Sequence, residues 1–161
     1  MDVYDFAMQM AEDGERFYRT LAGRVTRPGV RRILTMLADD QALHRRNFQE
    51  MKGSEKKPLP EAKILDGVKN VFAQRMKRPM KVDENLPQAD LYRKGQAIYR
   101  ECEDFYRGMA SKVRSSHLKE AFLRVADEQQ RHYFTLEHVI AFISGPQQGL
   151  EDAEWYRAEE P

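Results

Sequence analysis

The sequence predicts an all-α fold in which two similar helical hairpins form a four-helix bundle. Three observations support this prediction. Shifting the chain by 88 positions aligns its two halves without a gap. Apolar residues recur at three- and four-residue steps in four segments, as they do in helices with one buried face. A connection of roughly 40 residues joins the two halves, which is long enough to traverse the length of a bundle.

Identical residues at matching positions carry the internal repeat. The segment Ala-Asp-Asp-Gln-Ala-Leu-His at 38–44 returns as Ala-Asp-Glu-Gln-Gln-Arg-His at 126–132. The same shift superimposes six identical pairs upstream, which are Glu15 and Glu103, Phe17 and Phe105, Tyr18 and Tyr106, Arg19 and Arg107, Ala22 and Ala110, and Val25 and Val113. A duplicated helical hairpin predicts that function lies where the halves meet.

The first hairpin is predicted over residues 2–51. Apolar residues keep helical spacing from residue 2 to about residue 24, which indicates the first helix. The dipeptide Pro28-Gly29 breaks it, because proline lacks a donor N–H and glycine permits a turn. The second helix then ends near residue 51. A connection this short makes the two helices antiparallel neighbours.

Residues 52–88 are predicted to be the crossover between the hairpins. This segment is rich in charges and contains four prolines, at positions 58, 60, 79 and 87. Its middle, residues 61–76, places apolar residues at helical spacing and is predicted to form a short helix across the bundle. A 20-residue helix is only about 30 Å long, so the crossover has ample reach.

The second hairpin, residues 89–144, should repeat the first. Its helices are predicted over about 90–112 and about 115–144. Ser115 or Ser116 is the expected N-cap of the last helix, because a serine hydroxyl accepts a hydrogen bond from a free N–H of the first turn.

The Gly-Pro dipeptide at 145–146 is the expected stop signal of the last helix. The bundle domain is therefore predicted over residues 1–146. The tail, residues 147–161, contains the only tryptophan, Trp155, beside Tyr156. Two adjacent aromatic side chains favour packing of the tail on the bundle or on a partner chain.

Composition and charge predict a cytoplasmic protein. The 27 basic and 26 acidic residues nearly balance, so charge favours neither a nucleic-acid nor a membrane partner. No apolar run approaches the ~18 residues of a membrane span, and the N-terminus has no signal-peptide pattern. The single cysteine, Cys102, excludes an internal disulfide and fits a reducing compartment.

Several motifs carry a family resemblance: Gly14-x-x-Phe17-Tyr18, Phe105-Tyr106, Asn70-Val71-Phe72 and the two Ala-acid-acid-x-x-x-His segments. Together they resemble the rubrerythrin-type branch of the ferritin-like superfamily over about residues 3–144. The resemblance implies a ferritin-like four-helix bundle and a family that binds iron pairs and reduces peroxide or handles oxygen and iron. Rubrerythrin proper also has a rubredoxin-like iron site built from CxxC pairs, and this sequence has none.

The implied iron site needs six inward ligands, namely one glutamate from each of the first and third helices and a Glu-x-x-His pair from each of the others. Bridging carboxylates are required because they offset the charge of two iron ions in a low-dielectric interior. The four glutamate positions correspond here to Ala11, Gln41, Tyr99 and Gln129, and the two histidines are His44 and His132. We predict that the carboxylate di-iron site is lost and that the four substituted positions line the bundle interior.

Two nearby acids offer an alternative site. Glu15 and Glu103 each lie one helical turn, ~5.4 Å, beyond a lost ligand. With His44 and His132 they could hold one zinc, manganese or iron ion. In an antiparallel hairpin, however, this axial shift carries Glu15 away from the histidine. We therefore favour salt bridges for both acids. Arg16 and Arg19 are the candidate partners of Glu15, because they lie close to it in sequence.

Other residues invite a functional interpretation that we do not favour. His117 and His138 are predicted to be surface or packing residues, and Cys102 a small buried hydrophobe. The acid pairs Asp39-Asp40 and Asp127-Glu128 either are solvated or hydrogen-bond the opposite histidine as partners do in metal sites, and we favour solvation.

Three functional hypotheses follow. The preferred one is a non-enzymatic binding or structural module without catalytic residues or cofactor, acting as a homodimer or with an unidentified protein partner. The second is a metal-binding oxidoreductase that holds a single transition-metal ion or an iron pair in an atypical site around His44 and His132. The third is a small-ligand site in which Gln41, Gln129 and Tyr99 are polar anchors.

Overall fold

The computed structural model describes residues 1–56, 63–79, 81–83 and 85–158, with the side chains of 64 and 145–158 outside the description. The described residues form helices and no strand. The chain divides into two compact units, Met1–Asn85 and Leu86–Pro161, and each contains one helical hairpin.

The first unit is built on α1 (Val3–Arg24) and α2 (Pro28–Gly53), close to the predicted bounds. Helix α1 begins with a capping box in which Asp2 accepts the N–H of Asp5 at 2.9 Å and Asp5 accepts the N–H of Asp2 at 3.4 Å. Helix α2 begins with a proline, whose missing N–H costs nothing in a first turn.

The buried face of each helix follows the predicted three- and four-residue spacing. On α1 it includes Tyr4, Ala7, Met10, Ala11, Gly14, Phe17, Tyr18 and Leu21. On α2 it includes Val30, Leu34, Leu37, Ala38, Gln41, His44 and Phe48. These two stripes pack together, so the apolar pattern of the sequence accounts for the core of the hairpin.

Polar contacts join the start of α1 to the end of α2. The Lys52 ammonium lies 2.9 Å from a carboxylate oxygen of Asp2 and also donates to Asp5. The Tyr4 hydroxyl donates to Glu55 at 2.9 Å. Burial, followed by this contact with Glu55, raises the pKa of Tyr4.

The predicted crossover helix over 61–76 is wrong in its extent. Residues 61–62 lie outside the described part of the chain, and a short 3-10 helix covers Lys63–Leu65. A separate helix, α3, covers only Val71–Met76. Gly67 lies between them at φ 75°, a left-handed conformation that interrupts a right-handed helix.

Asn70 starts α3 and ties it to α1. Its side-chain oxygen accepts the N–H groups of Phe72 and Ala73 at 3.0 and 3.1 Å, so it is the N-cap. Its amide nitrogen donates at 2.9 Å to Asp13, which also accepts from Gln9 at 3.2 Å. The helical spacing of the crossover sequence did not predict this new start.

The second unit is built on α4 (Gln88–Lys112) and α5 (Ser116–Ala158), which pack together. The Ser115 hydroxyl accepts the N–H of Leu118 at 3.3 Å, which confirms the predicted cap. Helices α2 and α5 begin 88 residues apart, as the internal repeat requires.

The Gly-Pro dipeptide at 145–146 does not end α5, contrary to prediction, because the helix continues to Ala158. A proline removes one helical hydrogen bond at a cost of about 3 kcal/mol, but its φ of about −65° is helical and the bonds on either side can persist. The predicted packing of the tail, with Trp155 and Tyr156, concerns side chains outside the described residues. Within the described chain, no helix combines the length and the apolar character that a membrane crossing needs.

Candidate functional site

In the first unit, the structure places the predicted inner residues Ala11, Gln41 and His44 among buried side chains. Ala11 comes from α1, and the two polar residues come from the same stripe of α2. Neither alanine nor glutamine carries a charge, so the first unit has no carboxylate at the two positions where the family resemblance implies one.

The crossover reaches this part of the first unit through Phe72, which is completely buried. A Cβ atom at Gly14 would lie 2.8 Å from Cε2 of Phe72 and 3.0 Å from Cδ of Gln41. The phenylalanine ring also packs on Tyr18 and Phe17, with centroid distances of 5.5 and 5.9 Å. The absence of a side chain at Gly14 therefore lets the Phe72 ring of α3 pack closely against α1, beside Gln41.

In the second unit, Tyr99 and His132 form an edge-on aromatic pair, with ring centroids 5.1 Å apart and planes at 63°. Gln129 is only 1% exposed. Its Oε1 accepts no hydrogen bond from the described residues. The interior of the second unit thus presents a tyrosine ring, an imidazole and an amide, and can donate and accept hydrogen bonds.

Glu15 and Glu103 belong to a contact that occurs once in each unit. Arg19 donates from Nε to Glu15 and from Nη2 to Asp39, both at 3.0 Å. The second unit has the same pair of contacts, also at 3.0 Å, among Arg107, Glu103 and Asp127. We call each of these sets a Glu–Arg–Asp clamp, and each joins the two helices of its hairpin.

In each clamp, the glutamate and the aspartate carboxylates both accept hydrogen bonds from one guanidinium group. The hydrogen bond to Asp39, followed by that to Glu15, raises the pKa of Arg19. The pKa of Arg107 is raised in the same way, first by its aspartate partner and then by its glutamate. Salt bridges of Glu15 and Glu103 are thus confirmed, and the partners of Glu15 are Arg19 and, at 3.9 Å, Arg45 rather than Arg16.

The predicted solvation of Asp39 and Asp127 is confirmed, since their side chains are 65% and 54% exposed, but each also accepts a hydrogen bond from the arginine of its clamp, which was not predicted. The sequence contained a signal for this contact, since all three clamp residues coincide under the 88-residue shift. Spacing alone did not show that the arginine on one helix reaches the aspartate on the next.

The other predictions for isolated polar residues hold. Cys102 is buried next to Tyr106, and burial raises the pKa of that tyrosine more than the neighbouring thiol does. His117 and His138 are exposed.

Sequence analysis missed the buried residue Gln96 of α4. Its amide nitrogen donates to the carbonyl oxygen of Tyr133 at 3.1 Å and to Glu137 at 2.7 Å. The guanidinium of Arg100 lies 4.5 Å from the centre of the Tyr133 ring. These contacts form a polar network between α4 and α5. The sequence signal for it was the presence of a glutamine, Gln96, within the apolar stripe of α4.

The residues present do not fit a carboxylate-bridged iron pair. The four positions at which the family resemblance implies bridging carboxylates hold neutral side chains, and Glu15 and Glu103 are bound in the clamps. Over the described part of the chain, no group of three or more His, Cys, Asp or Glu side chains is arranged to hold a metal ion. The arrangement is suited to hydrogen bonding by neutral groups.

The Rubrerythrin family model matches residues 2–140 of the chain. Neither a curated protein nor a solved structure matches it. The family match covers both hairpins, as far as residue 140 of α5, and the crossover between them. With the all-helical structure, it confirms the predicted resemblance and the all-α, ferritin-like fold class.

Proposed function

Because the chain belongs to the rubrerythrin family, we propose that it is a member without a carboxylate di-iron centre that acts as a non-enzymatic binding or structural module. One observation carries this proposal. Glu15 and Glu103, the acids best placed to rebuild a metal site, are each bound to an arginine at 3.0 Å in a clamp.

The clamp matters because each carboxylate has a structural use in its own hairpin. Each arginine holds a glutamate of its own helix and an aspartate of the facing helix. A glutamate that turned inward to bind a metal would lose that contact and leave its arginine with one partner fewer. The neutral residues at positions 11, 41, 99 and 129 would not replace the lost negative charge.

The proposed module is cytoplasmic and works as a homodimer, needing no cofactor. The interior of the second unit offers an amide group at Gln129 and a phenol group at Tyr99, whose hydrogen bonds suit a neutral polar ligand. The hypothesis of a small-ligand site is supported by Oε1 of Gln129, which is buried and accepts no hydrogen bond from the described residues. A ligand that donates a hydrogen bond to this oxygen would remove the cost of leaving it unsatisfied.

Metal analysis of the untagged full chain tests the proposal. The protein would be produced in medium supplied with iron, manganese and zinc, and its metal content measured by mass spectrometry. We expect fewer than about 0.1 metal ions per chain, since binding needs deprotonated ligands in sufficient number. Chelator should leave the melting temperature unchanged.

A matched variant shows whether the preparation can load metal at all. Restoring the acids in one variant, as Ala11→Glu, Gln41→Glu, Tyr99→Glu and Gln129→Glu, should create iron binding of about two ions per chain. A wild-type chain that carries about one ion per chain, and loses it on the double substitution His44→Ala and His132→Ala, would refute the proposal. An atypical metal site around His44 and His132, with Glu15 and Glu103 as its candidate carboxylates, would then replace the metal-free module as the proposal, and an assay of peroxide reduction would test the oxidoreductase.

A further inference from the structure

A groove with a volume of about 430 Å³ lies on the surface of the first hairpin. Both of its helices contribute half-buried or exposed side chains to the lining. The lining residues are Glu12, Glu15, Arg16, Arg19, Thr20 and Arg45. Ligand sites in proteins have volumes of about 300–1,000 Å³, so the groove has room for a small molecule. We call this set of six residues the arginine groove.

Two arginines of the groove make only long contacts with acids. A guanidinium nitrogen of Arg16 lies 3.7 Å from Glu12 and another lies 4.0 Å from Asp13, and a guanidinium nitrogen of Arg45 lies 3.9 Å from Glu15. Hydrogen bonds between charged groups are about 2.7–2.9 Å long, so these contacts are ion pairs without hydrogen bonds. The two arginine side chains are 61% and 41% exposed. Their N–H groups can therefore turn to a ligand at little cost.

Arg19 is the fixed arginine of the groove. It donates from Nε to Glu15 and from Nη2 to Asp39, both at 3.0 Å, in the clamp of the first hairpin. This contact offsets the negative charge of Glu15 within the groove. The lining holds three guanidinium groups and two carboxylates, so its net charge is +1. Charge and donors together favour an anionic ligand.

The second hairpin is an internal comparison for the groove. It contains the same clamp, but the 88-residue shift places different residues at the other four lining positions, namely Arg100, Asp104, Gly108 and Tyr133. There the guanidinium of Arg100 lies 4.5 Å from the centre of the Tyr133 ring, at the positions of Glu12 and Arg45. In the second hairpin these two side chains therefore pack on each other. Joining the helices needs only the clamp, so the residues that flank it in the first hairpin indicate an additional role.

We propose that the arginine groove binds a small molecule that carries a phosphate or pyrophosphate group. A carboxylate presents two oxygens in one plane, which a single guanidinium group can satisfy. Arg16 and Arg45 come from different helices and suit a phosphate, whose oxygens point in several directions. The Thr20 hydroxyl can donate one further hydrogen bond. The site lies on the surface of one hairpin, so the proposal goes beyond the interior site and does not depend on it.

Isothermal titration calorimetry of the untagged full chain with inorganic pyrophosphate tests the groove. In low salt and without divalent cations, we expect one site per chain with a dissociation constant below about 1 mM. Arg45→Gln should weaken binding at least about tenfold, because it removes charge-assisted hydrogen bonds. Arg46→Gln is the matched control, since Arg46 is the exposed neighbour outside the groove and the same charge is lost. It should change the affinity by less than about twofold.

A second variant separates the shape of the groove from the charge of the protein. Glu12→Arg combined with Arg45→Tyr gives the first hairpin the pair that packs on itself in the second. The two substitutions make the protein more positive, because the first adds more positive charge than the second removes. Binding should nevertheless weaken at least about tenfold, because the donors of Arg45 are lost and the new pair covers the groove. Circular dichroism should show all variants folded.

Each contrary result overturns a stated part of the proposal. A wild type that takes up no pyrophosphate at about 5 mM, an equal loss for Arg46→Gln and Arg45→Gln, or a double variant that binds as well as the wild type would overturn the site. Two sites per chain would overturn its assignment to the first hairpin. Equal affinity for succinate, a dicarboxylate, would overturn the choice of phosphate. The metal analysis measures a different property, so failure here is distinguishable from failure of the proposed function.

Discussion

Replacing Gly14 with alanine should disturb the packing of Phe72 on α1. The new Cβ would lie 2.8 and 2.9 Å from two ring carbons of Phe72 and 3.0 Å from Cδ of Gln41. Carbon atoms prefer separations of about 3.5–4.0 Å, so the ring must move by roughly 0.5–1 Å. Overpacking of this kind costs about 1–3 kcal/mol. Alanine regains about 1 kcal/mol through its higher helix propensity, which leaves a net loss of about 0–2 kcal/mol.

Gly108→Ala is the matched control, because Gly108 lies within α4 and a Cβ there meets no atom within 4 Å. It should stabilise the protein by about 0.5–1 kcal/mol through helix propensity alone. Urea unfolding followed by circular dichroism gives both free energies of unfolding. The difference between the two variants, about 1–3 kcal/mol, isolates the steric term from the propensity term.

A double-mutant cycle makes the reasoning refutable. In a Phe72→Ala background the obstructing ring is gone while Cδ of Gln41 remains 3.0 Å from the new Cβ, so Gly14→Ala should cost less than in the wild type or stabilise by up to about 1 kcal/mol. Phe72→Ala alone should cost about 3–5 kcal/mol, because the ring is fully buried. If Gly14→Ala stabilises the wild type as much as Gly108→Ala does, the close approach at Gly14 does not constrain the protein and the argument is wrong.

Two further predictions concern the charged contacts. Arg19→Gln and Arg107→Gln should each lower the free energy of unfolding by about 0.5–1 kcal/mol in low salt, and by less in about 1 M salt, because partly exposed ion pairs are weak and are screened by salt. Urea unfolding at the two salt concentrations measures both losses. Unequal losses for the two variants would contradict the equivalence of the clamps. The hydrogen bond from Lys52 lowers the pKa of Asp5 below its ordinary value of 3.8, so its stabilisation is present above that pH and is lost as the pH falls below it. Lys52→Met should therefore reduce the loss of thermal stability on acidification below about pH 4, and an unchanged acid profile would refute this role.

Helix bounds were predictable where residues with a local mechanism mark the ends. Asp2 caps α1 through its own side chain, Pro28 opens α2 at a position that needs no N–H, and Ser115 caps α5. Each of these effects acts within a few residues of chain, so a sequence suffices to find it.

The two errors in the helix bounds arose where local signals compete. Spacing of apolar residues favoured one helix across the middle of the crossover, but Gly67 interrupts it and Asn70 starts a new one. The Gly-Pro dipeptide at 145–146 favoured a stop, but the helix passes through it. In both cases the outcome depends on a balance of a few kcal/mol that periodicity does not measure.

The sequence by itself determined the duplicated hairpins, the buried stripe of each helix and the neutral residues at positions 11, 41, 99 and 129, because spacing and residue type specify them. Only the tertiary structure decided that Arg19 bridges Glu15 to Asp39, that Phe72 seats on Gly14 and that Phe142 points into solvent. The physical reason is that helical spacing tells which side of a helix is buried, whereas contacts between helices depend on their rotation and axial register. A shift of one turn, ~5.4 Å, would exchange every partner while leaving the pattern of the sequence unchanged.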